Sequence, residues 1–124
     1  MKVKDTATNF FEFLGFAGEE LEEGGFVIEL PFQPYLLQDD GTIHTGVFST
    51  MLDIVLGASI SKRFNSFATT INLNLSFLDV EPKTHYRGEL TFMHKDGKYV
   101  TGEGVILDER NNLIAKGIGT FKIR

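Results

Sequence analysis

Ile43–Ile60, IHTGVFSTMLDIVLGASI, is the stretch whose reading decides the fold. A His-Thr-Gly turn opens it and an apolar helix follows. Between Thr45 and Ser61 the one formal charge is Asp53. Val47, Met51 and Val55 make one row at i, i+4 spacing, and Phe48, Leu52, Leu56 and Ile60 make a second. Gly46, Ser49, Thr50, Asp53 and Gly57 make a third face of small or polar residues. A helix apolar around most of its girth is buried on most sides. A carboxylate in such a place needs a partner, a raised pKa or a task.

Outward from this helix, the chain reads as strands. Before it, Phe26–Gln33 alternates, with Phe26, Ile28, Leu30 and Phe32 on one face. Nearer the start, Asn9–Leu14 reads as a short helix, with Asn9 as N-cap and Gly15 as its stop. Glu19–Gly25 reads as an acidic turn. After the helix, which ends near Lys62 or Arg63, Thr69–Leu78 places Ile71, Leu73, Leu75 and Phe77 on one face. Thr70, Asn72, Asn74 and Ser76 take the other. His85–Lys95, Lys98–Asp108 and Leu113–Lys122 follow, the first two joined by an Asp96-Gly97 hairpin signal. Short connections make these four strands antiparallel neighbours. Gly102, Gly104, Gly117 and Gly119 inside them mark close backbone approach, bends or bulges. The expected architecture is α+β: a curved antiparallel sheet of about five strands wrapped around one long helix, with a short N-terminal helix.

At 124 residues, the whole of 1–124 is expected to form one domain with its own core. Twelve Phe against no Trp predict a core filled by Phe. Net charge of −5 repels nucleic acid and gives no long-range pull on an anionic substrate, so phosphate contacts must be local. With no Cys there is no disulfide, thiolate metal site or cysteine nucleophile, which fits a cytoplasmic setting. The apolar run at 47–60 is too short for a membrane span and contains Asp53. MKVKDTATNFFEF lacks the pattern of a signal peptide. There is no phosphate-cradling Gly-rich loop, no serine nucleophile elbow and no His/Glu cluster at metal spacing; His85 and His94 read as structural.

The helix segment resembles the hotdog fold of the 4-hydroxybenzoyl-CoA thioesterase superfamily, and within it the phenylacetate-degradation and acyl-CoA thioesterase branch. That branch carries Gly-Thr-x-His-Gly-Gly and then an acidic residue nine positions after the His. Here it reads Gly41-Thr42-Ile43-His44-Thr45-Gly46, with Asp53 nine after His44. Leu73–Asp79, LNLSFLD, is similar to the strand that follows in the family, and Asn111–Phe121, NNLIAKGIGTF, to its closing strand. Thr45 stands where the family usually has Gly. The resemblance implies an acyl-CoA thioesterase without a cofactor, acting as a homodimer or homotetramer with paired sites between subunits. It also implies a backbone N–H role at position 45, which Thr keeps, although its Cβ and hydroxyl crowd the approach of a thioester carbonyl.

The residues carry this chemistry on their own terms. Asp53 can act as a base for water or as a nucleophile. Its bland alternative is a structural acid hydrogen-bonded across a subunit contact. Thr45 and Gly46 sit at the helix start, where orphan N–H groups and the positive end of the dipole polarise a carbonyl. An ordinary capped helix start, with Thr42 or Thr45 as the cap, is the other reading. Eight residues separate Thr45 from Asp53, about 12 Å of helix rise. Donor and carboxylate must both lie within about 3 Å of one reacting carbonyl group. If both act, they come from two chains. His44 either contacts the thioester or caps its own loop. Gln38, six before His44 where the family tends to carry Asn, orients water or the carbonyl, or is a plain loop residue. Thr70, where the family often has Ser or Thr, positions the attacking water beside Asp53 or is an ordinary strand residue. Two rivals stand beside the thioesterase: a non-catalytic acyl-CoA-binding protein of the same fold, and a hydratase.

Overall fold

The computed structural model describes residues 15–20 and 26–124. The expected short helix at Asn9–Leu14 lies outside the described residues. The elements are β1 (Ala17–Glu20), β2 (Phe26–Pro31), a 3-10 turn at Pro34–Leu36, α1 (Thr45–Phe64), β3 (Ala68–Phe77), β4 (His85–Asp96), β5 (Tyr99–Asp108) and β6 (Leu113–Ile123). The six strands form one antiparallel sheet in the order β1-β2-β4-β5-β6-β3, curved around the single long helix. The sheet therefore has one strand more than the expected five. The extra strand is β1, whose Ala17–Glu20 takes in the start of the expected acidic turn and pairs with Phe26–Glu29.

A second correction concerns β3 and β4. They are not neighbours: β6 and β5 lie between them. Their connection, 78–84, holds seven residues, which reach at most about 23 Å when extended. The gap to cross is three strand spacings, about 14 Å. Length alone thus permits a crossover, and β4 takes the open place beside β2 while β3 closes against β6.

The helix settles on a floor of glycines. Gly102 and Gly104 of β5 stand opposite Gly119 and Gly117 of β6. Leu52, Leu56 and Ile60, one of the two apolar rows, press into this patch. A Cβ at Gly104 would lie 3.0 Å from Leu56 Cδ2 and 3.0 Å from the Glu89 carbonyl. At Gly117 it would lie 2.6 Å from Leu75 Cδ2. The second row, with Met51 at its centre, faces Gly88 of β4. Phe48 stacks edge-on against Tyr86 at 5.2 Å, and all of these side chains are fully buried. The third face, Gly46, Ser49, Thr50, Asp53 and Gly57, stays half-exposed, so the sheet covers two faces of the helix and leaves the polar one open.

One helix residue stands out among these. Ser59 is buried, and its hydroxyl has no partner among the described residues. An unsatisfied buried hydroxyl costs about 1–3 kcal/mol. Ser59→Ala is therefore expected to raise stability by about 1 kcal/mol, or roughly 3–5 °C in Tm. Thermal unfolding followed by circular dichroism checks this; a lower Tm would mean the hydroxyl has a partner in the assembled protein.

Candidate active site

The helix start is built by the loop before it. Pro34–Leu36 turns the chain, and Gln38–Thr42 folds back on itself. Gln38 N–H donates to the Thr42 carbonyl at 2.8 Å, and the Gln38 side chain donates to Thr42 Oγ1 at 3.0 Å. Asp40 accepts from the Thr42 hydroxyl and amide, and these bonds hold its carboxyl below the usual carboxylate range. Gln38 is exposed and spent on this turn, so its amide points at the loop. Ile43 and His44 are then pinned by backbone bonds to Val80 and Leu36.

His44 is the N-cap of α1, in place of the Thr42 or Thr45 that the sequence offered. Its Nδ1 accepts the Gly46 N–H at 2.9 Å. Gly46 makes this possible, because a Cβ there would lie 2.9 Å from that same Nδ1. The first amides of the helix can now be accounted for one by one. His44 N–H goes to the Leu36 carbonyl, Gly46 N–H to the His44 ring and Val47 N–H to the His44 carbonyl. The Thr45 N–H has no partner among the described residues. Of the two amides singled out in the sequence, Gly46's is thus engaged and Thr45's is free. Beside this start lies a cavity of about 350 Å³, walled by Leu36, Leu37 and Val47 with Tyr35, His44 and Thr50 at its polar edges.

Asp53 sits two turns further on, half-exposed on the open face. Thr70 Oγ1 donates to Asp53 Oδ1 at 2.8 Å. Strict alternation along β3 points Thr70 away from the helix, with Ile71 toward it. A bulge reverses this. Thr70 pairs with Phe121 and Asn72 with Thr120, so Ile71 is an extra residue with no opposite number. Phe121 and Gly119 face the helix, so Thr70 and Leu73 both do so too. Ile71 is turned out and is 53% exposed. Bulges commonly re-aim a side chain in this way beside functional sites. The structure therefore brings Asp53 and Thr70 together and His44, Thr45 and Gly46 together, about 12 Å of helix rise apart.

A buried acid, Asp108, is fully accounted for by the β5–β6 turn. Burial alone would push its carboxyl up, but it accepts bonds from the amides of Arg110 and Asn112 and from the Asn112 side chain. Together these bonds hold it below the usual range. Among the described residues, no group of three His, Cys, Asp or Glu could hold a metal ion, and no helix is long and apolar enough to cross a membrane.

This architecture recurs in known proteins. The BH2602 protein from Bacillus halodurans, solved with CoA, superposes at a TM-score of 0.86 with 23% identity, over 98% of this chain and 82% of its own. The fold is the hotdog fold. A second hotdog structure, thioesterase HI1161 from Haemophilus influenzae, gives a TM-score of 0.84 at 15% identity, over 93% of this chain and 82% of that one. In sequence, the chain is 27% identical over 118 residues to the Saccharolobus solfataricus protein named "Putative esterase SSO2140", covering 94% of this chain and 84% of that one. No family model matches the chain.

Tyr35, Leu36 and Leu37 are wall residues that the sequence reading passed over. The Tyr35 ring is half-exposed at the cavity beside the helix start.

Proposed function

We propose that this chain is a thioester hydrolase acting on acyl-CoA, with each site assembled from two copies of the chain. The observation that carries the proposal is the pairing of the Thr70 hydroxyl with Asp53 on a helix whose free N-terminal amide, at Thr45, lies about 12 Å away. No single carbonyl reaches both. Two chains solve the distance, and the half-exposed polar face of α1 and the edge of β3, unpaired among the described residues, leave room for a second copy. The CoA in one structural neighbour and the names thioesterase and esterase carried by other relatives support the same reading.

In this reading the acyl group enters the cavity walled by Leu36, Leu37 and Val47. The Thr45 N–H of one chain donates to the thioester oxygen, aided by the positive end of the helix dipole. Asp53 of the other chain takes a proton from water, whose oxygen attacks the carbonyl carbon. The tetrahedral oxyanion collapses, the C–S bond breaks, and the leaving thiolate takes the proton held by Asp53 and departs as the thiol. Direct attack by the Asp53 carboxylate is the covalent form of the same step. Thr70 donates its proton to Asp53, which fixes the carboxylate and leaves the hydroxyl oxygen free to accept from the attacking water. Gly46 and His44 keep the helix start in shape.

The test is a panel of acyl-CoA substrates with thiol release as the readout. Saturable binding of those compounds without thiol release would replace the hydrolase by an acyl-CoA-binding protein. A single turnover in ¹⁸O-labelled water separates the two forms of the step. Base catalysis labels only the product acid, whereas label in the Asp53 carboxylate requires a covalent anhydride that water opens at the Asp53 acyl carbon. Thr45→Gly keeps the amide and removes the crowding Cβ, so activity is expected to hold or rise. A fall of tenfold or more with the fold intact would give the Thr45 hydroxyl its own role.

A further inference from the structure

We propose that a basic cavity at the other end of the sheet receives the adenosine 3′,5′-bisphosphate part of coenzyme A; this rests on reading the chain as an acyl-CoA hydrolase. The cavity holds about 350 Å³ and is lined by Thr69, Lys98, Lys122, Ile123 and Arg124. Three cations converge here on a chain whose net charge is −5. None of the three forms an ion pair among the described residues. Asp96, across the hairpin from Tyr99, does not line the cavity.

The backbone holds these cations in place. Lys98 sits in the β4–β5 turn, and its carbonyl accepts the Ile123 N–H at 2.8 Å. Lys122 stands in register between Tyr99 and Thr69. The Arg124 amide donates to Ser66 Oγ at 3.0 Å. Cations gathered this way bind phosphate oxygens through charge-assisted hydrogen bonds.

Two aromatic rings at the rim select a nucleotide over a bare phosphate. Tyr99, beside Lys122, is 50% exposed. Phe67 is 62% exposed, with the Arg124 guanidinium 5.4 Å from its ring centre. Exposed rings of this kind are platforms on which a base of any identity stacks. The negative field of the whole chain disfavours a long polyanion, so a compact nucleotide is the matching ligand. Thr69 lines the cavity on the outer face of the sheet, and the next residue, Thr70, turns to the helix face and holds Asp53, so the two sites lie on either side of one strand end.

Titration calorimetry with adenosine 3′,5′-bisphosphate tests the site without any turnover. The wild-type protein should bind it, more weakly as salt rises. Lys98→Ala/Lys122→Ala should weaken binding at least tenfold, as expected for loss of two bonds to charged groups. Lys122→Arg and the distant Lys116→Ala should keep it. Pyrophosphate should bind at least tenfold less tightly than the bisphosphate, and Tyr99→Ala should narrow that gap. Kinetics supply the second arm. The double variant should raise KM for an acyl-CoA about tenfold at unchanged kcat, and leave KM for the matching acyl-pantetheine thioester unchanged.

No binding by the wild type at millimolar bisphosphate, equal binding by the double variant, or an unchanged KM for acyl-CoA would overturn the site. Pyrophosphate binding as tight as the bisphosphate would overturn its nucleotide character. If the bisphosphate binds as described while neither thioester is hydrolysed, the cavity stands and the hydrolase reading falls.

Discussion

Asp53→Asn is expected to leave a folded protein whose thioester hydrolysis falls by about 10²–10⁴-fold, the usual worth of a positioned acid–base group. The change is close to isosteric and the residue is half-exposed, so no cavity forms and no charge is stranded. The Thr70 hydroxyl can still donate to the amide oxygen. The proton acceptor and the nucleophile are lost together. Thiol release measured beside circular dichroism makes the comparison, and turnover equal to wild type would remove Asp53 from the mechanism.

Mixing that variant with Thr45→Pro should restore activity that neither has alone. Thr45 is the first residue of α1, the helical position at which proline is best tolerated, because the amide it lacks is unbonded there anyway. His44 at φ −64° and ψ 124° already has the extended backbone that a following proline requires. The substitution therefore deletes one N–H and spares the helix and its His44–Gly46 cap. In a two-fold mixed dimer one site carries both lesions and the other carries neither, so activity should return to about half of wild type per mixed dimer. Native mass spectrometry counts the mixed dimers. If they form and stay inactive, the site is not shared between chains.

Much of this molecule could be read along the chain, for identifiable reasons. Helix α1 was legible because two apolar rows and one polar face repeat at 3.6 residues over its length, and local periodicity depends on nothing distant. Strands β2 to β6 were legible to within a residue or two for the same reason, whereas β1 was read in part as an acidic turn. The order of strands was not. Whether 78–84 turns back or crosses depends on where β2 lies, a non-local fact that no window contains. The helix cap was assigned to Thr42 or Thr45, which carry the ordinary capping signal, and His44 was read only as a contact to the thioester or a cap of its own loop; a histidine ring satisfying the Gly46 amide depends on the backbone of the loop before it. Asp53 was marked by its lone charge on an apolar helix. Its contact with Thr70 was marked by nothing in the strand's alternation, which placed Thr70 on the opposite face.

The unpaired Ile71 has a consequence for how such sites are compared between proteins. Asp53 and Thr70 are 17 positions apart along the chain and 2.8 Å apart in space. Deleting Ile71 would leave Thr70 opposite Phe121 and Asn72 opposite Thr120, with the ladder merely regular. The contact would persist at the same separation of 17, while Asn72 and the rest of β3 would each stand one position nearer to Thr70. Distance along the chain from Thr70 to the rest of its own strand is thus a soft quantity, and the pairing across the sheet a firm one. An alignment anchored on Leu73–Phe77 that forbids a gap inside β3 would match Thr70 to the wrong neighbour in an unbulged relative and report the hydroxyl as lost. The column to follow is the one opposite Phe121, whichever residue number it bears.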